Sequence, residues 1–297
     1  MIVAITGGTG FVGREVVKEL RAGGHVVRAI VRAPQRARWL ADEFGVDLVA
    51  GDVLDAVSLD RPLAGANAVI HLVGIICERG STTFARAHTE ATINMVAAAR
   101  RAGIRRYLQM SALGTRTGAA SRYHQTKWAA EEQVRQSGLA WTIFRPSMIY
   151  GARDQAINAL ARVIRRLPVV PVLGDGRAKV QPVAVEVVAH CLGAALRNDG
   201  TIGINYDLCG PVPFTWNELN EKLLAFYGLQ KPKWHLPWPL ARGLAAVFEC
   251  LLPHPPFTRD QLIMLQEDNC GDPQPAARDL GLTAESFEQG LARMLAK

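Results

Sequence analysis

Several features that mark specialised chains are missing from these 297 residues. No apolar run reaches the roughly 18–20 residues that a bilayer-spanning helix needs, so no membrane span is expected. No basic segment followed by a cleavable apolar stretch precedes the first strand-like run at Ile2, so no secretory signal is expected either. Cysteine is sparse: Cys77, Cys191, Cys209, Cys250 and Cys270 form no C-x-x-C and no metal-ligand spacing. Each is therefore expected as a buried free thiol in a reducing, cytoplasmic compartment. His190, His235 and His254 stand apart in sequence, and no metal site is assigned to them. Lysine is also scarce, with seven of the 34 basic residues; the other 27 are arginine. These arginines are scattered, so the net charge of +7 does not indicate nucleic acid. An anionic membrane surface or a phosphorylated small molecule remains as a partner. With 49% hydrophobic and 21% charged residues, the chain has the material for a real core.

What is present divides in two. Through residue 150, Ile2–Thr6, His25–Val31, Val46–Ala50, Ala68–Val73, Arg106–Met110 and Trp141–Arg145 read as strands. Between them Phe11–Ala22, Thr82–Ala102 and Ser121–Gln136 read as helices. Such alternation predicts an α/β fold, a doubly wound parallel sheet of Rossmann type, for residues 1–150. After Gly151 prolines thicken and helices dominate. A smaller, mostly helical substrate or partner lobe packed on the first is expected over residues 151–297.

The first strand–helix junction reads "ITGGTGFVG", with Gly7, Gly10 and Gly13 in the turn. Glycines there leave backbone N–H groups at the positive end of a helix, where a pyrophosphate binds. Bare Cα atoms at Gly7 and Gly10 allow close approach, and Gly13 allows tight packing of helix on sheet. A dinucleotide is the expected ligand of this turn, which includes Thr9, Phe11 and Val12.

"SRYHQTKWAAEE" places Tyr123 and Lys127 four residues apart, on one face of a helix. A phenol near pKa 10 is a poor base, and a neighbouring ammonium is expected to lower it. Ser111 ends the fifth strand in "QMSALG", on the sheet edge where such folds bind ligands. Ser111 is expected to hydrogen-bond a substrate oxygen while Tyr123 moves the proton.

The G-x-x-G-x-x-G spacing together with the Tyr–Lys pair resembles the short-chain dehydrogenase/reductase superfamily, in its extended and atypical branches. The resemblance runs over most of the chain. It implies that Asp52 of "GDVLD", with Val53, meets the adenine, and that Leu72, Val73 and Gly74 of "HLVGI" line the cofactor. It further implies that Pro146 and Ser147 of "RPSMIYG" lie beside the nicotinamide and that Lys127 also holds its ribose. "GDGRAKVQPVAVEVVA" and "YDLCGPVPFTWNEL" resemble the atypical group of the accessory reductase-like subunit of respiratory complex I and its bacterial relatives. One departure stands out. His88 occupies the place of the family's lysine-supporting asparagine, and Asn94 lies a turn and a half later. Either the relay is altered or Asn94 serves another role, and His88 is expected at the surface, with a catalytic place as the alternative.

The second strand ends in Val31-Arg32 with no carboxylate for ribose hydroxyls. Arg32 suits a 2′-phosphate, which favours NADP(H) over NAD(H). Arg36 and Arg38 read as a solvated helix face. In the second lobe the helix within Trp234–Pro256 is apolar nearly all round except Arg242 and Glu249, and is expected in the core. Its alternative role is to meet lipid or a lipophilic substrate. Arg153, Arg177 and Lys179 suit either a sugar diphosphate or solvent. Three functions follow as expectations: an oxidoreductase or epimerase-like enzyme on a small alcohol or carbonyl compound; a non-catalytic NADP(H)-binding subunit or assembly factor at a respiratory complex or inner membrane face; and a nucleotide-sugar epimerase or dehydratase.

Overall fold

A computed structural model describes every residue except His254, Ala284, Ala296 and Lys297; the unassigned His254 therefore lies outside the described residues. The first strand, β1 (Ile2–Thr6), has its last four residues buried. A strand apolar on both faces needs cover on both, and this governs the architecture. Parallel strands β2 (Val26–Val31), β3 (Asp47–Ala50), β4 (Ala68–His71), β5 (Arg106–Met110) and β6 (Ala140–Pro146) join it. Four short strands follow: β7 (Ile149–Tyr150), β8 (Val170–Leu173), β9 (Lys179–Val180) and β10 (Val183–Ala184). The chain then returns with β11 (Ile204–Leu208), parallel to β6, so the sheet takes its seventh strand from beyond residue 150. The order is β11-β6-β5-β4-β1-β2-β3. Chain direction across the sheet reverses between β1 and β4, which opens the ligand crevice at their carboxyl ends.

Helices cover both faces. On one lie α1 (Phe11–Ala22) and α2 (Arg38–Phe44), with α7 (Val185–Ala195) from the later segment. Val16, Val17 and Leu20 of α1 meet Val188 and Leu192 of α7 in the larger core. On the other face lie α3 (Asp60–Leu63), α4 (Ala91–Arg101) and α5 (Arg122–Arg135), where Leu63, Met95, Ala99 and Val134 pack on Tyr107 and Ile143. The long helix expected from Thr82 to Ala102 is divided: residues 85–90 form a π-helical turn before α4.

Beyond residue 150 the chain also forms α6 (Ala156–Arg166), α8 (Trp216–Phe226), α9 (Trp238–Leu251), α10 (Arg259–Met264), α11 (Gln274–Leu280) and α12 (Phe287–Leu295). Two more short strands, β12 (Phe214–Thr215) and β13 (Lys233–Leu236), pair with β9 and β8. The expectation that α9 is a core helix is overturned. Only Ala241 and Ala245 are buried, against Leu236 and Leu262. Leu240, Leu244, Val247 and Leu251 repeat at helical spacing on the opposite side and are exposed, Leu240 by 60% and Leu251 by 73%. Small alanines seat the helix closely on one side, and none of the described residues covers the other. The cysteines are free as expected, but only Cys191 and Cys209 are buried, and Cys250 on α9 is exposed.

Candidate nucleotide cleft and active site

The glycine turn is built by crowding. Gly7 has φ +72°, a left-handed backbone that favours glycine, and its carbonyl accepts from Gly10 N–H at 3.0 Å. A Cβ on Gly13 would stand 2.1 Å from that same carbonyl oxygen. A Cβ on Gly7 would press on the Leu72 backbone at 3.1 Å, so the turns after β1 and β4 touch. Helix α1 begins with no side-chain cap and no acid in its first turn. Its leading N–H groups and positive end are left open, an arrangement that fits a pyrophosphate. Thr9 and Gly10 are exposed there, while Phe11 and Val12 are half-buried, Phe11 lying against Gly151.

Around this turn the other expected cofactor residues fall as follows. Arg32 follows β2, is exposed and has no ion pair among the described residues. Arg38, by contrast, faces Asp42 at 3.8 Å in solvent. Asp52 turns its carboxylate onto the N–H of Leu54 at 2.9 Å. The Val53 carbonyl accepts from Asn94 Nδ2 at 2.9 Å, so Asn94 fixes the loop after β3. Pro146 is buried at the end of β6. Ser147 donates to Asn269 Oδ1 at 2.6 Å, and Asn269 Nδ2 donates to the Leu113 carbonyl at 3.1 Å. That asparagine from the segment after α10 ties β5 and β6 together at the cleft, and no local sequence signal announced it.

The Tyr–Lys pair lies on α5, which starts where Ser121 accepts from His124 N–H at 3.2 Å. A carboxylate from α10 holds the same end: Asp260 accepts from the N–H groups of Arg122 and Tyr123 at 2.7 and 3.2 Å. Lys127 is buried and donates to the Met110 carbonyl at 3.1 Å, one residue before Ser111. Its Nζ lies 2.9 Å from where a Gly74 Cβ would stand. The lysine thus joins α5, the end of β5 and the turn after β4. Ser111 is buried, with its Oγ 3.4 Å from Thr115 Oγ1.

His88 departs most from expectation. It is buried, not at the surface. Its ring stacks on Phe84 and meets Tyr123 edge-on with centroids 5.2 Å apart. Nδ1 lies 2.9 Å from Thr126 Oγ1, and Nε2 lies 3.1 Å from both N and O of Ile75. Thr126 Oγ1 can donate to the carbonyls of Arg122 and Tyr123, each at 3.0 Å. An Nδ1–H tautomer satisfies every donor in this chain: Ile75 N–H to Nε2, Nδ1–H to Thr126, and Thr126 O–H to α5. The imidazole is a strut between the loop after β4 and helix α5, and it projects from the π-helical turn.

Burial dominates the electrostatics. It pushes the Tyr123 phenol up to about 12, so the expected lowering by Lys127 does not prevail in the free protein. It pulls Lys127 down to about 8, with Glu131 opposing the change. His88 is pulled to about 2 by burial and then by Lys127, and His71 to about 3 by the same causes. His71 Nδ1 bonds Thr6 Oγ1 at 2.6 Å beneath the cleft. The two imidazoles are therefore neutral beside the lysine. No group of three or more His, Cys, Asp or Glu among the described residues is placed to hold a metal.

A parallel sheet with a glycine turn at its switch point defines a dinucleotide-binding class of α/β protein, and comparison with known proteins gives the family. The sequence pattern of a family described as NAD(P)H-binding matches residues 7–192. The chain belongs to that NAD(P)H-binding family. It is 33% identical over 263 residues to the NADH dehydrogenase [ubiquinone] 1 alpha subcomplex subunit 9 of Arabidopsis thaliana, covering 86% of this chain and 65% of that one. The chain thus spans just under two thirds of that relative. It is 32% identical over 243 residues to a ceramide reductase of Caulobacter vibrioides, covering 80% and 74%. In structure it resembles the dTDP-glucose 4,6-dehydratase DesIV of Streptomyces venezuelae, with TM-score 0.76, 22% identity and 100% and 96% coverage. That likeness shows the fold. No helix among the described residues is long and apolar enough to cross a membrane.

Proposed function

We propose that this protein is an NADP(H)-dependent reductase of a carbonyl compound, with Tyr123, Lys127 and Ser111 as catalytic residues. One observation carries the reading: the buried Lys127 ammonium stands against Gly74 at the switch point, one helical turn from Tyr123 and bonded to the carbonyl before Ser111. The turn from Gly7 to Gly13 would hold the pyrophosphate, Arg32 the 2′-phosphate, and Asp52 and Val53 the adenine side. Leu72, Val73, Gly74, Pro146 and Ser147 would border the nicotinamide half. When bound, the dihydronicotinamide supplies the hydride for the carbonyl carbon. Lys127 would hold the nicotinamide ribose. Ser111 Oγ–H would donate to the carbonyl oxygen, and Tyr123 would deliver its proton there, giving an alcohol. A phenol held near 12 keeps its proton at neutral pH, which suits the reductive direction.

A second reading has its own support. The exposed apolar stripe of α9 suits a nucleotide-binding subunit that docks on a larger assembly or a membrane face. The respiratory subunit among the relatives is consistent with it. NADPH oxidation with a panel of ketones separates the two. Tyr123→Phe is expected to lower turnover by about 10²–10⁴-fold, with NADPH affinity unchanged. Full activity in that variant sinks the catalytic assignment, and tight NADPH binding without turnover of any ketone favours the subunit.

A further inference from the structure

A cavity of about 750 Å³ lies between the loop after β4, the start of α5 and the end of α9. That volume is in the range of small-molecule sites. Tyr123 stands behind its wall, in contact with two of the lining residues. Asp260 on its wall holds the Tyr123 N–H, and Phe84 on its wall meets the Tyr123 ring edge-on at 5.8 Å. An occupant is therefore separated from the Tyr123 ring by Phe84 alone on that side.

The charges of the wall cancel. Arg122 is held by Glu78 at 2.9 and 3.2 Å, and Arg259 by Glu249 at 2.7 Å. Asp260 is engaged by the two backbone N–H groups. Among the described residues of the wall only Arg79 has a side-chain charge without a partner, and it is exposed. A nucleotide sugar brings a doubly charged diphosphate, which needs free cations or open backbone N–H groups to leave water, and the leading N–H groups of α5 are already taken by Asp260 and Ser121. The remaining lining is apolar: Phe84, Leu252, Pro253, Pro255 and Ile263. Leu252 is 42% exposed at the mouth, next to Leu251, the last residue of the exposed α9 stripe. An aliphatic chain leaving the cavity would meet apolar surface.

We propose that this cavity is the tail site of the substrate, and that the substrate is an uncharged amphiphile: a long-chain ketone whose alkyl chain lies along Leu252 and Ile263 and whose carbonyl reaches Tyr123. This rests on the reductase reading. The probes are 3-oxo amides with four, eight, twelve and sixteen carbons, with UDP-glucose as the competitor. Turnover is followed by NADPH absorbance, and binding to the protein–NADP⁺ complex by calorimetry. Affinity and kcat/KM are expected to rise about fourfold per buried methylene, with UDP-glucose failing to compete. Ile263→Glu and Leu252→Glu are expected to flatten that rise, with NADPH titration confirming a folded protein. Turnover that ignores chain length, or strong competition by UDP-glucose, overturns the tail site and leaves the reductase standing. Chain-length-dependent binding without NADPH oxidation does the reverse. Neither binding nor turnover overturns both.

Discussion

His88 and His71 make the protein acid-sensitive by a calculable amount. An imidazole with its ordinary pKa of 6.5 in the unfolded chain, but about 2 for His88 and about 3 for His71 when folded, refuses a proton that the unfolded chain accepts. The folded pKa is depressed, so stability is complete above 6.5 and is lost as pH falls from there toward the folded values. Each group costs about 1.4 kcal/mol per pH unit in that window. Between pH 7 and pH 5 that amounts to about 2 kcal/mol for each histidine, a large share of a stability of about 5–15 kcal/mol. His88→Gln keeps a neutral amide near the Ile75 backbone and removes the titration. Urea unfolding at the two pH values should show a loss about 2 kcal/mol smaller in the variant than in the wild type. Comparing the two losses cancels the contribution of every group that does not interact with His88, which leaves Lys127 and His71 as its coupled neighbours. Equal losses would refute the strut, because they would mean that His88 takes up its proton in the folded state.

Three other perturbations test the cleft and helix α9. Gly13→Ala places a methyl 2.1 Å from the Gly7 carbonyl oxygen; thermal unfolding should reveal a loss of about 1–3 kcal/mol or more, and an unchanged melting temperature contradicts the packing. Arg32→Ala should weaken NADPH about 10–100-fold and leave NADH unchanged in fluorescence titrations; tighter wild-type binding of NADH than of NADPH removes the 2′-phosphate role. Replacing Leu244 and Val247 with serine should alter stability by no more than about 0.5 kcal/mol each, because both are exposed. A larger loss in denaturant unfolding would show that the α9 stripe is covered.

The nucleotide cleft was legible because its signals are local. A strand, three glycines and a helix are contiguous, and the spacing of Tyr123 and Lys127 is one helical turn. The respiratory-subunit likeness was also readable, from segments spread from "SALG" at Ser111 to the late apolar segment. His88 was misplaced because a helical pattern over residues 82–102 gives no sign of the π-helical turn from which the imidazole projects. The α9 helix was misplaced for a related reason. An apolar helix is buried only where partners exist, and hydropathy does not count partners.

Sequence by itself determined the parallel sheet, the crevice at its switch point and the residue types gathered there. Tertiary structure alone decided which charges cancel and which groups lie dry. Asp260 reaches α5 across 137 residues of chain. Asn269 reaches Leu113 across 156. The balanced wall of the cavity joins ion pairs from distant parts of the chain. Backbone pattern is set by neighbours in the chain, whereas desolvation and charge pairing depend on which distant segments exclude water together.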